Sequence, residues 1–293
     1  MLLDMLTWLC YGFLYFAVLA LWLPPVRILQ RKVNLWPIFT SGAILFGLAS
    51  QQIDLAAVAP IAILGYSLYL FYQNGISPGK KFVTGLCIIS LAFLLGAHKI
   101  PYFHNLNVLS NIQISQDGIP FTMYLNFDKA LVGLLLLGFG HRLIASKTQW
   151  ASLWQAMKVR CLLFVGMLVL LAVAFGEVHF DPKLPDRFPL WLFTNLCFVC
   201  VPEEAFFRGF LQKQLGELWQ GFAWGGYAAL IVTACLFGFA HYAGGIAYSI
   251  WGTIAGLGYG WIYERTKRIE AAILLHFMLN ITHFLLFTYP ALA

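Results

Sequence analysis

The sequence predicts an all-α fold, a polytopic transmembrane helical bundle of about ten helices. Three observations carry that reading. Of the 293 residues, 61% are hydrophobic and only 10% are charged, against about 45–50% apolar and about 25% charged in soluble domains. The mean hydropathy is +0.79. Apolar runs approaching the roughly twenty residues that cross a bilayer as a helix recur along the chain, separated by polar or Gly/Pro punctuation.

In order, the first run spans about Leu6 to Leu23 and stops at Pro24-Pro25. It lacks a basic leader and a small-residue cleavage site, so it reads as a helix rather than a secretory signal. A basic loop with Arg27, Arg31 and Lys32 precedes a short run, Trp36 to Ala49, closed by Gln51, Gln52 and Asp54. Leu55 to Tyr72 follows, and Pro60 within it is tolerated in a membrane helix. Phe82 to Ala97 is the fourth run. The polar stretch from His98 to Asp117 reads as an extramembrane loop without catalytic spacing. A fifth span over Pro120 to Phe139 has its interfacial start at Asp128-Lys129. Trp150 and Trp154, one turn apart in the basic stretch His141 to Arg160, suggest an amphipathic segment lying on the membrane. Cys161 to Gly176, Pro189 to beyond Arg208, Phe222 to His241, Ile246 to Tyr263 and Ala271 to Phe287 complete the series. Residues 1–160 read as accessory transmembrane helices, and 161–293 as the functional domain, whose core is about 189–287.

Basic residues gather in alternate loops, which places those loops in the cytoplasm and both termini outside. The formal charge of +6 is spread over these loops rather than concentrated in one patch, which argues against nucleic acid as a partner. All six cysteines lie in apolar segments, where they behave as small hydrophobes. Cys197-Phe-Val-Cys200 has a metal-ligand spacing without a second pair, so it reads as packing.

Polar side chains in greasy segments need a reason, because an ionised group at a helix centre costs roughly 2.5–3.5 kcal/mol on insertion scales. Three clusters stand out: Glu203-Glu204-x-x-x-Arg208, Phe237-x-x-x-His241 and His276-x-x-x-Asn280. On an α-helix, residues four apart share a face, so Glu204 pairs with Arg208 while Glu203 faces elsewhere and can take a proton from water. Pro202 loosens the helix beside them. His241 precedes a break at Gly244-Gly245. His276 and Asn280 share a face. A carboxylate, two imidazoles and a carboxamide supply the parts for water activation, leaving-group protonation and oxyanion stabilisation. Each cluster also has a blander reading: an interfacial charge group, an interface histidine, or a polar stripe joining helices. The Glu and His residues could also ligate zinc, but H-E-x-x-H is absent and Arg208 disfavours a cation there, so no cofactor is expected.

The ordered set, Glu203-Glu204-Ala-Phe-Phe-Arg208, Phe237-Gly-Phe-Ala-His241 and His276-Phe-Met-Leu-Asn280, resembles the signature of the CPBP (Abi) family, the CAAX proteases and bacteriocin-processing enzymes. The resemblance covers roughly Pro189 to Phe287. It implies an intramembrane glutamic endopeptidase similar to CAAX prenyl protease 2. In that scheme Glu203 is the base for the attacking water, His241 assists it, His276 and Asn280 stabilise the oxyanion, and Glu204 and Arg208 orient the site. The partners implied are a lipid bilayer and a membrane-associated peptide or protein substrate, of CAAX or bacteriocin type, in a prokaryotic cytoplasmic membrane. Family members usually have about eight helices, so the N-terminal spans depart from the pattern. Two other functions fit the scaffold: a non-catalytic immunity or binding protein, and a proton-coupled transporter.

Threading the helices sets one geometric condition. His276 falls about 8 Å into its helix, whereas His241 ends a helix running the other way. The eighth helix is therefore expected to stop near mid-membrane, before a turn at Gly244-Gly245, with His241 within about 10 Å of Glu203 if the two share a water.

Overall fold

The computed structural model describes residues 1–28 and 30–293. Among these, ten helices follow one another: α1 (Leu2–Ala20), α2 (Trp36–Ala49), α3 (Val58–Phe71), α4 (Pro78–Gly96), α5 (Phe127–Gly140), α6 (Lys147–Ala174), α7 (Phe188–Leu218), α8 (Gly225–Ala240), α9 (Ile246–Thr266) and α10 (Ile269–Leu286). The all-α class and the helix number agree with the sequence reading. Five of these, α1, α4, α6, α7 and α10, are long and apolar enough to cross a membrane. Two strand pairs accompany them: β1 (Val26–Ile28) with β2 (Arg31–Val33), antiparallel, and β3 (Leu106–Ile112) with β4 (Phe121–Leu125).

Contacts divide the chain into two compact units, and neither is one continuous stretch. The first comprises Met1–Leu106, Tyr124–Ala145 and Cys197–Phe206. Its centre is α5, where Phe127, Asp128 and every residue from Ala130 to Leu137 are buried. A helix that is apolar all round belongs in a core, and fourteen residues give only about 21 Å of length, short of a bilayer's hydrocarbon thickness. Gly133 lets the α5 backbone touch the segment before Glu203, since a Cβ there would come within 2.5 Å of Pro202 Cα.

The helix α5 begins at Phe127, next to the Asp128-Lys129 start read from the sequence, and β4 precedes it. Asp128 is nonetheless wholly buried, accepting from Asn105 Nδ2 at 3.0 Å and pairing with His98 Nδ1 at 2.8 Å. Asn105 Oδ1 in turn accepts from the Phe127 amide at 2.8 Å. The stretch read as an extramembrane loop thus supplies partners for the orphan donors and the carboxylate of the first turn of α5.

The second unit comprises Asn107–Met123, Ser146–Leu196 and Phe207–Ala293. Ser146 Oγ caps α6 by accepting from the Gln149 amide at 3.2 Å. Trp150 and Trp154 therefore lie on the first turns of one 28-residue helix, not on a separate surface segment. Helices α8 and α9 form a hairpin through small residues. A Cβ on Gly238 would overlap Thr253 Oγ1 and reach within 2.5 Å of Ser249 O, and one on Gly256 would come within 3.2 Å of Ala234 Cα. Ala234 and Gly238 on α8 face Gly252 and Gly256 on α9, the small-xxx-small arrangement by which membrane helices approach closely. Gly245, which begins the return, has φ +97° and ψ 171°, a conformation that is essentially glycine-only. The expected break after His241 is thus a short turn, Tyr242–Gly244, followed at once by α9.

The C-terminal residues close over polar groups outside the helices. Thr288 Oγ1 donates to Asp117 Oδ2 at 3.1 Å, His179 Nδ1 lies 2.6 Å from the same oxygen, and the Tyr289 amide donates to Ser115 Oγ at 2.9 Å. The hydrogen bond from His179, followed by that from Thr288, holds the Asp117 carboxyl below the ordinary carboxylate range. A depressed folded value means that this stabilisation is complete above the unfolded carboxylate pKa and is lost as pH falls through the folded one. Amide exchange of residues 288–293 is therefore expected to quicken as pH is lowered through that range, after correction for intrinsic rates. Asp117→Asn should show faster exchange already at neutral pH, and an unchanged profile would dissociate the segment from this carboxylate.

Candidate active site

The long helix α7 carries the first motif and is not uniformly wound. It takes wider, π-type turns over Asn195–Cys200 and Ala205–Gln212, flanking an α-helical Val201–Glu204. Pro202 supplies a reason for the first: its ring clashes with the carbonyl of residue i−4 and its nitrogen has no proton to donate, so the preceding turn must open. Such turns are frequent at functional sites. They also mean that the α-helical register, from which a Glu204–Arg208 pair was expected, does not hold beyond Glu204.

In the first unit, Glu203 is buried, with 9% of its surface exposed, and Glu204 is wholly so. Glu203 Oε1 lies 2.6 Å from the ammonium of Lys129. The contact follows from the packing: Gly133 and Pro202 touch, Lys129 lies one turn before Gly133, and Glu203 comes directly after Pro202. Sequence reasoning left Glu203 free of a charged partner and missed Lys129. The available signal was an ionisable residue heading an apolar run, which is by default a functional position in a membrane protein.

The second unit brings Arg208, Phe237, His241 and His276 into one aromatic frame. The Arg208 guanidinium is fully buried; its carbon lies 4.5 Å from the Phe237 ring centroid and 5.2 Å from that of Tyr259, and Nη2 donates to Gly256 O at 2.9 Å. Gly256 is what permits this, because a Cβ there would press to 3.1 Å from Nη2. Tyr259 stacks on His276 at 4.6 Å and 14°, and Phe237 meets the same imidazole edge-on at 5.9 Å. Phe237 also contacts the His241 ring at 4.5 Å. The two imidazoles therefore flank one phenylalanine. Tyr259 was not singled out in the sequence, although its alternating glycines, Gly256, Gly258 and Gly260, mark close helix approach.

His241 Nδ1 lies 2.7 Å from Phe237 O. A carbonyl only accepts, so Nδ1 carries the proton and Nε2 of the neutral ring keeps its lone pair, the state needed to receive one. His276 is buried. Asn280, one turn further along α10, donates from Nδ2 to Asn195 Oδ1 at 3.1 Å, so a residue from the first wide turn of α7 orients that carboxamide. The far end of α10 is fixed by Trp191, whose ring stacks on Phe284 at 4.0 Å and 18°. Among the described residues, no group of three or more His, Cys, Asp or Glu side chains is arranged to hold a metal ion.

Gly238→Ala tests how far this frame depends on the α8–α9 approach. The added methyl would meet Thr253 Oγ1 and the Ser249 carbonyl. Overpacking of this kind costs about 1–3 kcal/mol. A lower Tm in detergent with altered aromatic near-UV circular dichroism is expected, and a wild-type Tm would show that the helices separate freely.

Five helices long and apolar enough to cross a membrane, together with the family match that follows, make this an integral membrane protein. Residues 185–282 match the family described as Rce1-like, type II CAAX prenyl endopeptidase. That segment contains Glu203, Glu204, Arg208, His241, His276 and Asn280, so the family read from the three motifs is the one found over this part of the chain. No curated protein and no solved structure matches the chain.

Proposed function

We propose that the protein is an intramembrane endopeptidase that hydrolyses a peptide bond near the C-terminus of a membrane-associated substrate of CAAX type. The observation that supports this most is that the segment matched to an endopeptidase family carries every residue of the three motifs. In the reaction the Glu203 carboxylate takes a proton from water as the oxygen adds to the scissile carbonyl carbon. The resulting oxyanion is stabilised by donors from His276 and Asn280. The C–N bond then breaks, and the proton held by Glu203, or relayed through His241 Nε2, passes to the leaving amine. Glu204 and Arg208 hold the helix and the aromatic frame. No metal ion and no covalent intermediate enter these steps.

The test is hydrolysis of a peptide ending in a CAAX sequence, prenylated and unprenylated, by the purified full chain in nanodiscs. Release of the C-terminal tripeptide, faster for the prenylated peptide, is the expected result. Cleavage elsewhere in either peptide would retain the peptidase and discard the CAAX assignment.

A further inference from the structure

Lys129 lies outside the segment that matches the family, and neither composition nor motif connects it with the site. Its ammonium nevertheless sits 2.6 Å from Glu203 Oε1, with side-chain exposures of 19% and 11% for the two residues. A buried carboxylate needs a partner for its charge, and a base for water must stand in a fixed orientation. Glu204 is its neighbour in the chain. On α5, Asp128 is engaged by His98 and Asn105, which leaves Lys129 as the cation that α5 directs to Glu203.

We propose that Lys129 is a positioning residue for the reaction, pairing with the Glu203 carboxylate and fixing its rotamer. The role rests on the peptidase reading for its consequence but not for its measurement. Held on a buried helix, Lys129 gives Glu203 an orientation before any substrate arrives.

The experiment is an infrared pH titration of the carboxyl band of Glu203 in the full chain, the band being identified by its loss in Glu203→Gln. In the wild type Glu203 should be ionised at pH 7. In Lys129→Met its protonation midpoint should rise by about one to three pH units, the shift an opposite charge within hydrogen-bonding range imposes, and Lys129→Arg should retain the wild-type midpoint. Where peptide hydrolysis is measurable, the acidic limb of kcat/KM should move with the midpoint, whereas a purely structural lysine would lower the rate at all pH values alike. A Glu203 already protonated at pH 7 in the wild type, or a midpoint unmoved in Lys129→Met, overturns the proposal. Should Lys129→Met fail to fold, Lys129→Gln carries the same comparison, while a Glu203 protonated at pH 7 in the wild type overturns the proposal by itself. Inactivity of a wild type showing the expected titration would count against the peptidase reading and leave the Lys129 assignment standing.

Discussion

Glu203→Gln is expected to lower kcat for peptide hydrolysis by about 10²–10⁴-fold, the contribution of a positioned general base, with little change in KM. The amide preserves shape but cannot take a proton from water at neutral pH. It also leaves the Lys129 ammonium without its anionic partner, and breaking a buried ion pair costs about 3–5 kcal/mol, less where a side chain keeps some exposure, as Lys129 does. The variant should therefore lose both activity and Tm. A second substitution separates the two effects. Glu203→Gln combined with Lys129→Met removes both charges, so Tm should recover while hydrolysis stays absent. Activity near the wild-type level in either variant would assign the water to another base.

Arg208→Ala carries the second large expectation, a loss of about 3–5 kcal/mol. The guanidinium is fully buried between the Phe237 and Tyr259 rings and donates to the Gly256 carbonyl. Truncation removes a desolvated cation–π contact worth about 2 kcal/mol and a charge-assisted hydrogen bond worth about 1.5–3 kcal/mol, and it opens a cavity. These contributions are not additive, but all have the same sign. Phe237 and Tyr259 contact the two imidazoles, so kcat should fall even at temperatures where the variant remains folded. Arg208→Lys keeps the charge without the planar fork and should fall between the two. A wild-type Tm for Arg208→Ala would show that the frame does not depend on its cation.

How much of this was legible depended on how far apart in the chain the partners lie. The helices were readable because lipid demands long apolar runs, and even the break at Gly244-Gly245 announced itself. Helix starts were less so: α6 begins at Lys147 because a serine cap and two amphipathic turns precede its apolar stretch. β3 was read as loop because Asn107, Ser110 and Asn111 interrupt its alternation, and β4 was read as part of the stretch leading into the fifth span. Pro202 marks the first wide turn, but the second, Ala205–Gln212, has no compositional mark, so the α-helical spacing applied to Glu204 and Arg208 carried an unseen assumption about winding. Lys129 could not be assigned to Glu203, 74 residues away, since only the Gly133–Pro202 approach brings them together. The three motifs, by contrast, stood out in the sequence and lie in the segment that matches the family, because each puts polar groups where hydrophobes would be less costly.

The central claim, that Glu203 drives peptide-bond hydrolysis in the membrane, is tested most directly by comparing peptide C-termini in membranes that contain wild-type protein with those in membranes containing Glu203→Gln at equal abundance. The account predicts new C-termini, each a few residues short of an encoded end, with the wild type alone. Identical sets of termini in the two membranes would contradict it.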